Sequence, residues 1–132
     1  MRLFQKVPDG GKGSGVTAFV LIEIKSLFSI MLLHFAPGSR EKYHNHAFNA
    51  WTLWLKGTVT EIDLHGPLHW FKAGQWKYTP RTCFHKVIAR PGGAWALTFR
   101  GPWRNWWQEF GYNPKTNRQE YTYLTHGRKE YK

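Results

Sequence analysis

Seven histidines, at positions 34, 44, 46, 65, 69, 85 and 126, are the residues of this chain best suited to chemistry. Neutral imidazole is the commonest nitrogen ligand for divalent transition metals. The run His44-Asn45-His46 has the spacing that matters. On a strand, positions i and i+2 face the same way, so two imidazoles converge on one side while Asn45 points away. A third His from a neighbouring strand would complete a facial set and leave coordination positions open for water or substrate. Against this stands the plainer reading of any single His as a core or surface residue with a satisfied hydrogen bond. His65 and His69 flank Gly66-Pro67 and read as solvated turn residues, and His34 precedes Phe35 near a strand end.

Other reactive groups are sparse. The single cysteine, Cys83, excludes an intramolecular disulfide and any Cys-rich zinc or iron–sulfur site. It lies two residues before His85, where a thiol could be a soft ligand, a nucleophile or, most commonly, a small core residue. Only eight Asp and Glu are present. Glu61 and Asp63 share one face of a strand and read as an exposed pair on a charged hairpin, so a two-carboxylate glycosidase mechanism is poorly supported. Gly-x-Ser-x-Gly is absent. If the chain does chemistry, a metal would do it, by polarising a substrate oxygen or by activating water or dioxygen.

The elements that must position these groups are strands. Segments 17–24, 27–35, 51–56, 58–64, 68–71, 75–79, 84–89, 94–100 and 119–124 are short and rich in β-branched or aromatic residues. Turn formers punctuate them: Pro37-Gly38, Gly57, Gly66-Pro67, Ala73-Gly74, Pro80, Pro91-Gly92-Gly93 and Gly101-Pro102. No segment before the last third sustains a helical period. The pattern predicts an all-β sandwich or barrel. With 132 residues the chain is one domain. We read residues 1–15 as a Gly-rich arm, 16–112 as the barrel and 113–132 as a basic extension.

Nineteen Lys and Arg against eight Asp and Glu give a net charge of +11. Such a field favours anionic partners, from small phosphorylated or carboxylated molecules to nucleic acid. Trp103, Trp106, Trp107, Phe110 and Tyr112 lie near Arg100 and Arg104, which is the equipment for stacking on bases while holding phosphate. The same rings would equally plug a small barrel. The longest apolar stretches, 18–24 and 27–35, are too short to span a bilayer as helices, and Met1 to Gly15 holds no apolar leader core. A soluble, reducing, cytoplasmic setting without a membrane partner is the expectation.

Two spacings extend the histidine argument. Gly38, five residues, His44-x-His46, and then Gly57 resembles the first sequence motif of the cupin family. Gly74, five residues, Pro80, and then His85 resembles the second. That resemblance implies a double-stranded β-helix (jelly-roll) barrel in which three His and one Glu bind a metal, with His44, His46 and His85 as the three His here. The family's Glu falls at Ala50, which cannot bind a metal, and Thr82 and Ala89 replace the usual Gly and Asn of the second motif. Asn49 could offer an amide oxygen through a bulge. Three-His cupins exist, with thiol dioxygenases the familiar example. The later run Ala94–Pro102 with Arg104-x-Trp106 is similar to small cupin-like proteins common in phage and bacterial genomes, whose activity is not generally assigned.

The resulting expectation is a metal-dependent enzyme holding one divalent ion, iron first and zinc, manganese or nickel otherwise. A small anionic substrate would meet Arg81, Arg100 or Arg104 as clamps and Trp54 as a pocket wall. Trp54 keeps the strand phase of His44, His46 and Ala50, and Cys83 the phase of His85. The competing expectation is a barrel without turnover that captures a nucleotide or nucleic acid, or that serves assembly. Cupins are often dimers, so a homodimer is expected by resemblance.

Overall fold

The computed structural model describes residues 1–9, 15–37, 43–64, 66–113, 115–125 and 130–131. Gly38 of the first motif, His65, and His126, Arg128, Lys129 and Lys132 of the basic extension lie outside the described residues. The described residues form thirteen strands and no helix. They are β1 (Arg2–Pro8), β2 (Val16–Ile24), β3 (Phe28–Phe35), β4 (Tyr43–His44), β5 (Ala50–Lys56), β6 (Thr58–Asp63) and β7 (Leu68–Lys72). The remainder are β8 (Trp76–Thr79), β9 (His85–Ala89), β10 (Ala94–Arg100), β11 (Trp106–Asn113), β12 (Arg118–Thr125) and β13 (Glu130–Tyr131).

These strands make two antiparallel sheets, ordered β1-β2-β3-β10-β5-β8 and β13-β12-β11-β4-β9-β6-β7. The all-β, jelly-roll expectation holds. Nine strands fall where turn formers and β-branched runs put them. Alternation decides which side chains go inside: Ala18 and Val20 of β2, Met31 and Leu33 of β3, and Ala94 and Ala96 of β10 are buried, while Phe19, Leu32 and Trp95 between them are only half-buried. Burying one side of each strand is the main stabilising term for such a sandwich.

Both motif glycines at strand ends have a backbone reason. Gly57, between β5 and β6, has φ +85°, and a Cβ there would meet the Gly93 carbonyl oxygen at 2.3 Å. Gly74, between β7 and β8, has φ +91° with open space around it, so only the left-handed backbone demands glycine.

The ends of the chain depart from the sequence reading. Residues 2–8, read as part of an arm, are a strand paired along β2, with Arg2 held by a two-point hydrogen bond to the buried Glu23 at 3.0 and 2.7 Å. After residue 112 the sheet continues, because β12 pairs with β11 along its whole length. β1 lacks a clean apolar alternation because an edge strand with one neighbour needs none. Trp103 and Trp107 pack with Ala47, Phe48 and Ala50, as the barrel-plug reading expects, while Trp106 stays exposed under the Arg104 guanidinium.

Candidate metal centre and its cavity

His44 and His85 are direct cross-strand partners, on β4 and β9, and His44 also stands opposite Glu109 of β11. His46 follows two residues on. Asn45, between them, is turned to the other side and fixed to β11: its backbone N–H donates to the Gln108 carbonyl at 3.0 Å, and its Oδ1 accepts from the Gln108 N–H at 2.6 Å. That clamp is what sends both imidazoles inward. The His46 carbonyl in turn accepts from the Arg104 guanidinium at 3.4 Å.

The three rings form a nearly equilateral triangle, with centroids 5.0, 4.8 and 5.1 Å apart. One nitrogen from each ring lies within 4.8 Å of the others. His46 Nε2 and His85 Nε2 are 2.9 Å apart, about the separation of adjacent corners around an ion with metal–nitrogen bonds of roughly 2.1 Å. Among the described residues this is the one such grouping of metal-ligating side chains. The donor set is therefore geometrically able to share a single ion.

His85 is oriented from behind. Its Nδ1 lies 2.8 Å from Glu61 Oε2, and the other Glu61 oxygen forms an ion pair with Lys77 Nζ at 2.7 Å. Burial alone would raise the Glu61 carboxyl, but contact with His85 and Lys77 outweighs it and brings the group down from 4.5 to about 2. An ionised carboxylate only accepts, so His85 Nδ1 carries the proton and Nε2 faces the other two rings. Glu61 was read from sequence as an exposed hairpin residue; it is instead 3% exposed and part of the site. A signal was present: Glu61 is in phase with Val59, the fully buried residue of β6.

The triad lines a cavity of about 700 Å³ including its open mouth. Its walls are mostly apolar, from Leu33, Phe35, Phe48, Trp54 and Val87, with Ala50 and Thr52 completing the β5 face. Trp54 thus sits where its strand phase predicts, and Ala50, at the family's Glu position, leaves space. Lys77 and Arg100 bring positive charge. The Arg100 guanidinium is buried, pairs with Asp9 at 2.8 and 3.2 Å, and lies over the Phe48 ring at 4.4 Å. Asp9 and Lys77 were not foreseen.

Four expected site residues lie elsewhere. Asn49 is exposed, and its Oδ1 accepts from the Arg81 backbone N–H at 2.8 Å, so no bulge carries it to the histidines. Arg81 is itself exposed and absent from the cavity wall. Arg104 also stays outside, donating to the Trp106 carbonyl at 3.0 Å and covering the Trp106 ring at 3.8 Å; burial and the nearby Arg81 lower its pKa. Cys83 is half-buried with Sγ 3.7 Å from Asp63 Oδ1. Burial, reinforced by the charges of Asp63 and Glu61, pushes its thiol up to about 11, which keeps the thiolate scarce, and Cys83 lies outside the histidine triad. His34 packs on Trp95, and His69 is exposed.

No protein-family model matches the sequence, and no curated protein is similar to it in sequence. Solved structures do match its fold. The polyketide cyclase RemF from Streptomyces resistomycificus aligns with a TM-score of 0.62 at 18% identity, over 74% of this chain and 73% of that one. An RmlC-like cupin from Shewanella frigidimarina gives 0.60 at 16% identity, over 76% and 86%. A sugar phosphate isomerase of the cupin superfamily from Silicibacter pomeroyi gives 0.59 at 15%, over 96% and 83%. The chain has the fold of a small cupin. No helix among the described residues is long and apolar enough to cross a membrane.

Proposed function

We propose that this chain is a metal-dependent cupin enzyme that holds one divalent transition ion on His44, His46 and His85 and acts on a small anionic substrate with an oxygen donor. The observation that carries this reading is the meeting of three imidazoles in the wall of an apolar cavity, with the third ring fixed by a buried carboxylate. The cyclase and isomerase among the structural neighbours support an enzyme over an inert barrel. Three neutral imidazoles without a carboxylate leave the ion its full positive charge, which favours an anionic oxygen ligand. Imidazole donors suit iron, zinc and nickel better than manganese, and iron is our first assignment. When bound, the ion supplies Lewis acidity toward a coordinated oxygen and holds further positions for reactants.

The chain's own residues do the rest. Glu61 fixes the His85 tautomer, and Lys77 keeps Glu61 ionised. Phe35, Phe48, Trp54 and Val87 exclude water and bind the apolar body of the substrate. Arg100 and Lys77 each face a carboxylate already, so the cavity is close to neutral until an ion enters. The test is metal content per chain by plasma mass spectrometry on untagged protein, beside His44→Ala and His85→Ala. About one ion in the parent and none in either variant is the expected result. No ion in the parent, even after reconstitution with iron, zinc, manganese and nickel, sinks the proposal. With metal established, oxygen uptake is the first activity screen.

A second reading has its own observation. On the seven-stranded sheet, Lys86 lies 4.5 Å over Tyr43 and Arg90 5.9 Å over the exposed Trp70. Cations beside exposed rings are what single-stranded nucleic acid requires. It ranks second because these cations already cover the rings they would share. Affinity for a generic oligonucleotide that falls steeply from low to moderate salt would favour it.

A further inference from the structure

Alternation sends one side of β10, β5 and β8 into the cavity, and that side carries a polar patch. Thr98 of β10, Thr52 of β5 and Lys77 of β8 are successive cross-strand partners. The adjacent row is Arg100, Ala50 and Thr79, paired in the same way. All six residues line the cavity. Strands lie about 4.8 Å apart, and same-face residues about 6.7 Å apart along each strand. Ala50 therefore has five polar neighbours: Arg100 and Thr79 across the strands, Thr52 along its own strand, and Thr98 and Lys77 on the diagonals. The smallest side chain is at the centre, with the polar groups around it. His44 and His85 belong to the other sheet, so the imidazoles stand on one wall of the cavity and this patch on the other.

A buried polar group normally has a partner. Thr98 and Thr79 are 2% and 5% exposed and Thr52 is half-buried, yet none of the three hydroxyls has a hydrogen-bond partner among the described residues. On an inner face, valine would fill the same volume and favour the strand equally, without an unpaired hydroxyl. The two cations are differently placed. Arg100 uses its two terminal nitrogens on Asp9, and Lys77 uses one of its three donors on Glu61. Both charges are thus neutralised where they stand. A second full negative charge at this wall would meet no free cation. A neutral oxygen would find hydroxyls that donate and accept, and an ammonium that donates.

We propose that this patch receives the far end of the substrate, and that this end carries a neutral oxygen, a hydroxyl or a carbonyl. The inference rests on the reading of the histidine triad as the metal site and adds the class of substrate to it. That class is a small hydroxy or oxo acid, with its anionic end toward the triad and its oxygenated end on the threonines. Thr52 and Thr98 are the specificity residues. Lys77, through the Glu61 that orients His85, connects the two walls. A site built to hydrogen-bond an oxygen rejects the analogue lacking it, because its own polar groups are then left unpaired.

The test is calorimetric ligand binding to zinc-reconstituted protein whose zinc content is measured on the same sample. Comparing γ-hydroxybutyrate with butyrate, and levulinate with valerate, separates a hydroxyl from a carbonyl, and β-hydroxypropionate and δ-hydroxyvalerate bracket the length. The oxygenated acid of the best-fitting length should bind about tenfold more tightly than its plain counterpart. Thr52→Val with Thr98→Val should abolish that preference and leave the zinc content unchanged. The double variant should melt no lower than the parent, since its hydroxyls have no partner to lose. A merely structural role would do the reverse, lowering the melting temperature and keeping the preference. Ala50→Val raises the floor without removing a donor and should weaken the oxygenated acids selectively. Equal affinity within every pair overturns the proposal and leaves the metal site standing. Protein that takes up no zinc overturns the metal reading instead. The same pairs measured on that protein then decide the patch alone: a preference that persists supports it, and one that is absent overturns it.

Discussion

Glu61 Oε2 stands 2.8 Å from His85 Nδ1, and Glu61 Oε1 stands 2.7 Å from Lys77 Nζ. One buried carboxylate therefore ties an imidazole of β9 to an ammonium of β8. The consequence for His85 is a fixed tautomer with Nε2 toward His44 and His46. Carboxylate support of this kind raises the basicity of a ligand imidazole and holds its ring in place.

Replacing Glu61 by Gln keeps the size and one hydrogen-bond acceptor but removes the charge. Metal affinity, measured by competition with a chromogenic chelator, should fall 10- to 100-fold. The stoichiometry should stay at one ion, because the three imidazoles remain. Affinity equal to that of the parent would show that Glu61 only packs against His85.

The acid side of the stability curve follows from the same carboxylate. Its folded-state value of about 2 lies below the ordinary 4.5, so the unfolded chain takes up the proton first as pH falls. The stabilisation is therefore complete above about pH 4.5 and is lost as pH drops through about 2. For metal-free protein, a shift of this size corresponds to roughly 3 kcal/mol. Denaturant midpoints of the parent and Glu61→Gln should differ most near neutrality and converge toward pH 2. A gap that is constant from pH 7 to pH 2 would contradict the ion pair.

How much of this site is legible in the sequence depends on how far each contact reaches. His44-x-His46 declares itself locally, since strand geometry alone puts both rings on one side. Gly57 and Gly74 mark strand ends because their positive φ is a property of single residues. His85 needs the pairing of β4 with β9, and only the motif spacing brings it in. Glu61 is not legible as a site residue, because an acid in a strand is read as exposed unless its distant partners are known. Those partners, Lys77 and His85, are 16 and 24 positions further along. Asn49 failed for the converse reason: a free amide oxygen in the right place was already taken by the Arg81 N–H. β1 and β11 were missed because edge position and aromatic plugging blur the alternation that reveals a strand.

Cys83 gives a reading of the electrostatics just outside the cavity. With its thiol pushed up to about 11, the thiolate is scarce at neutral pH. Reaction with iodoacetamide in the folded protein should be slower at pH 8 than for a free cysteine, and should keep rising with pH until about 11. Asp63→Asn removes one of the charges responsible and should speed the reaction at pH 8. A fast reaction in the parent would show that Asp63 and burial do not control the thiol.

Arg100 offers the sharpest test of where an anion can sit. Its guanidinium is 3% exposed and has Asp9 as its carboxylate partner, at 2.8 and 3.2 Å. Asp9→Ala leaves a buried cation without that partner, which typically costs about 3 kcal/mol or more. The variant should therefore melt several degrees lower than the parent. Formate or acetate in the millimolar range should restore part of the loss by taking the vacated place beside the guanidinium. Arg100→Met in the same background removes the cation, so the added carboxylate should then do nothing. Restoration that persists in the double variant would assign the effect to general salt stabilisation. Restoration that vanishes would show that Arg100, in the wall shared with His44, His46 and His85, holds a small carboxylate once Asp9 is removed.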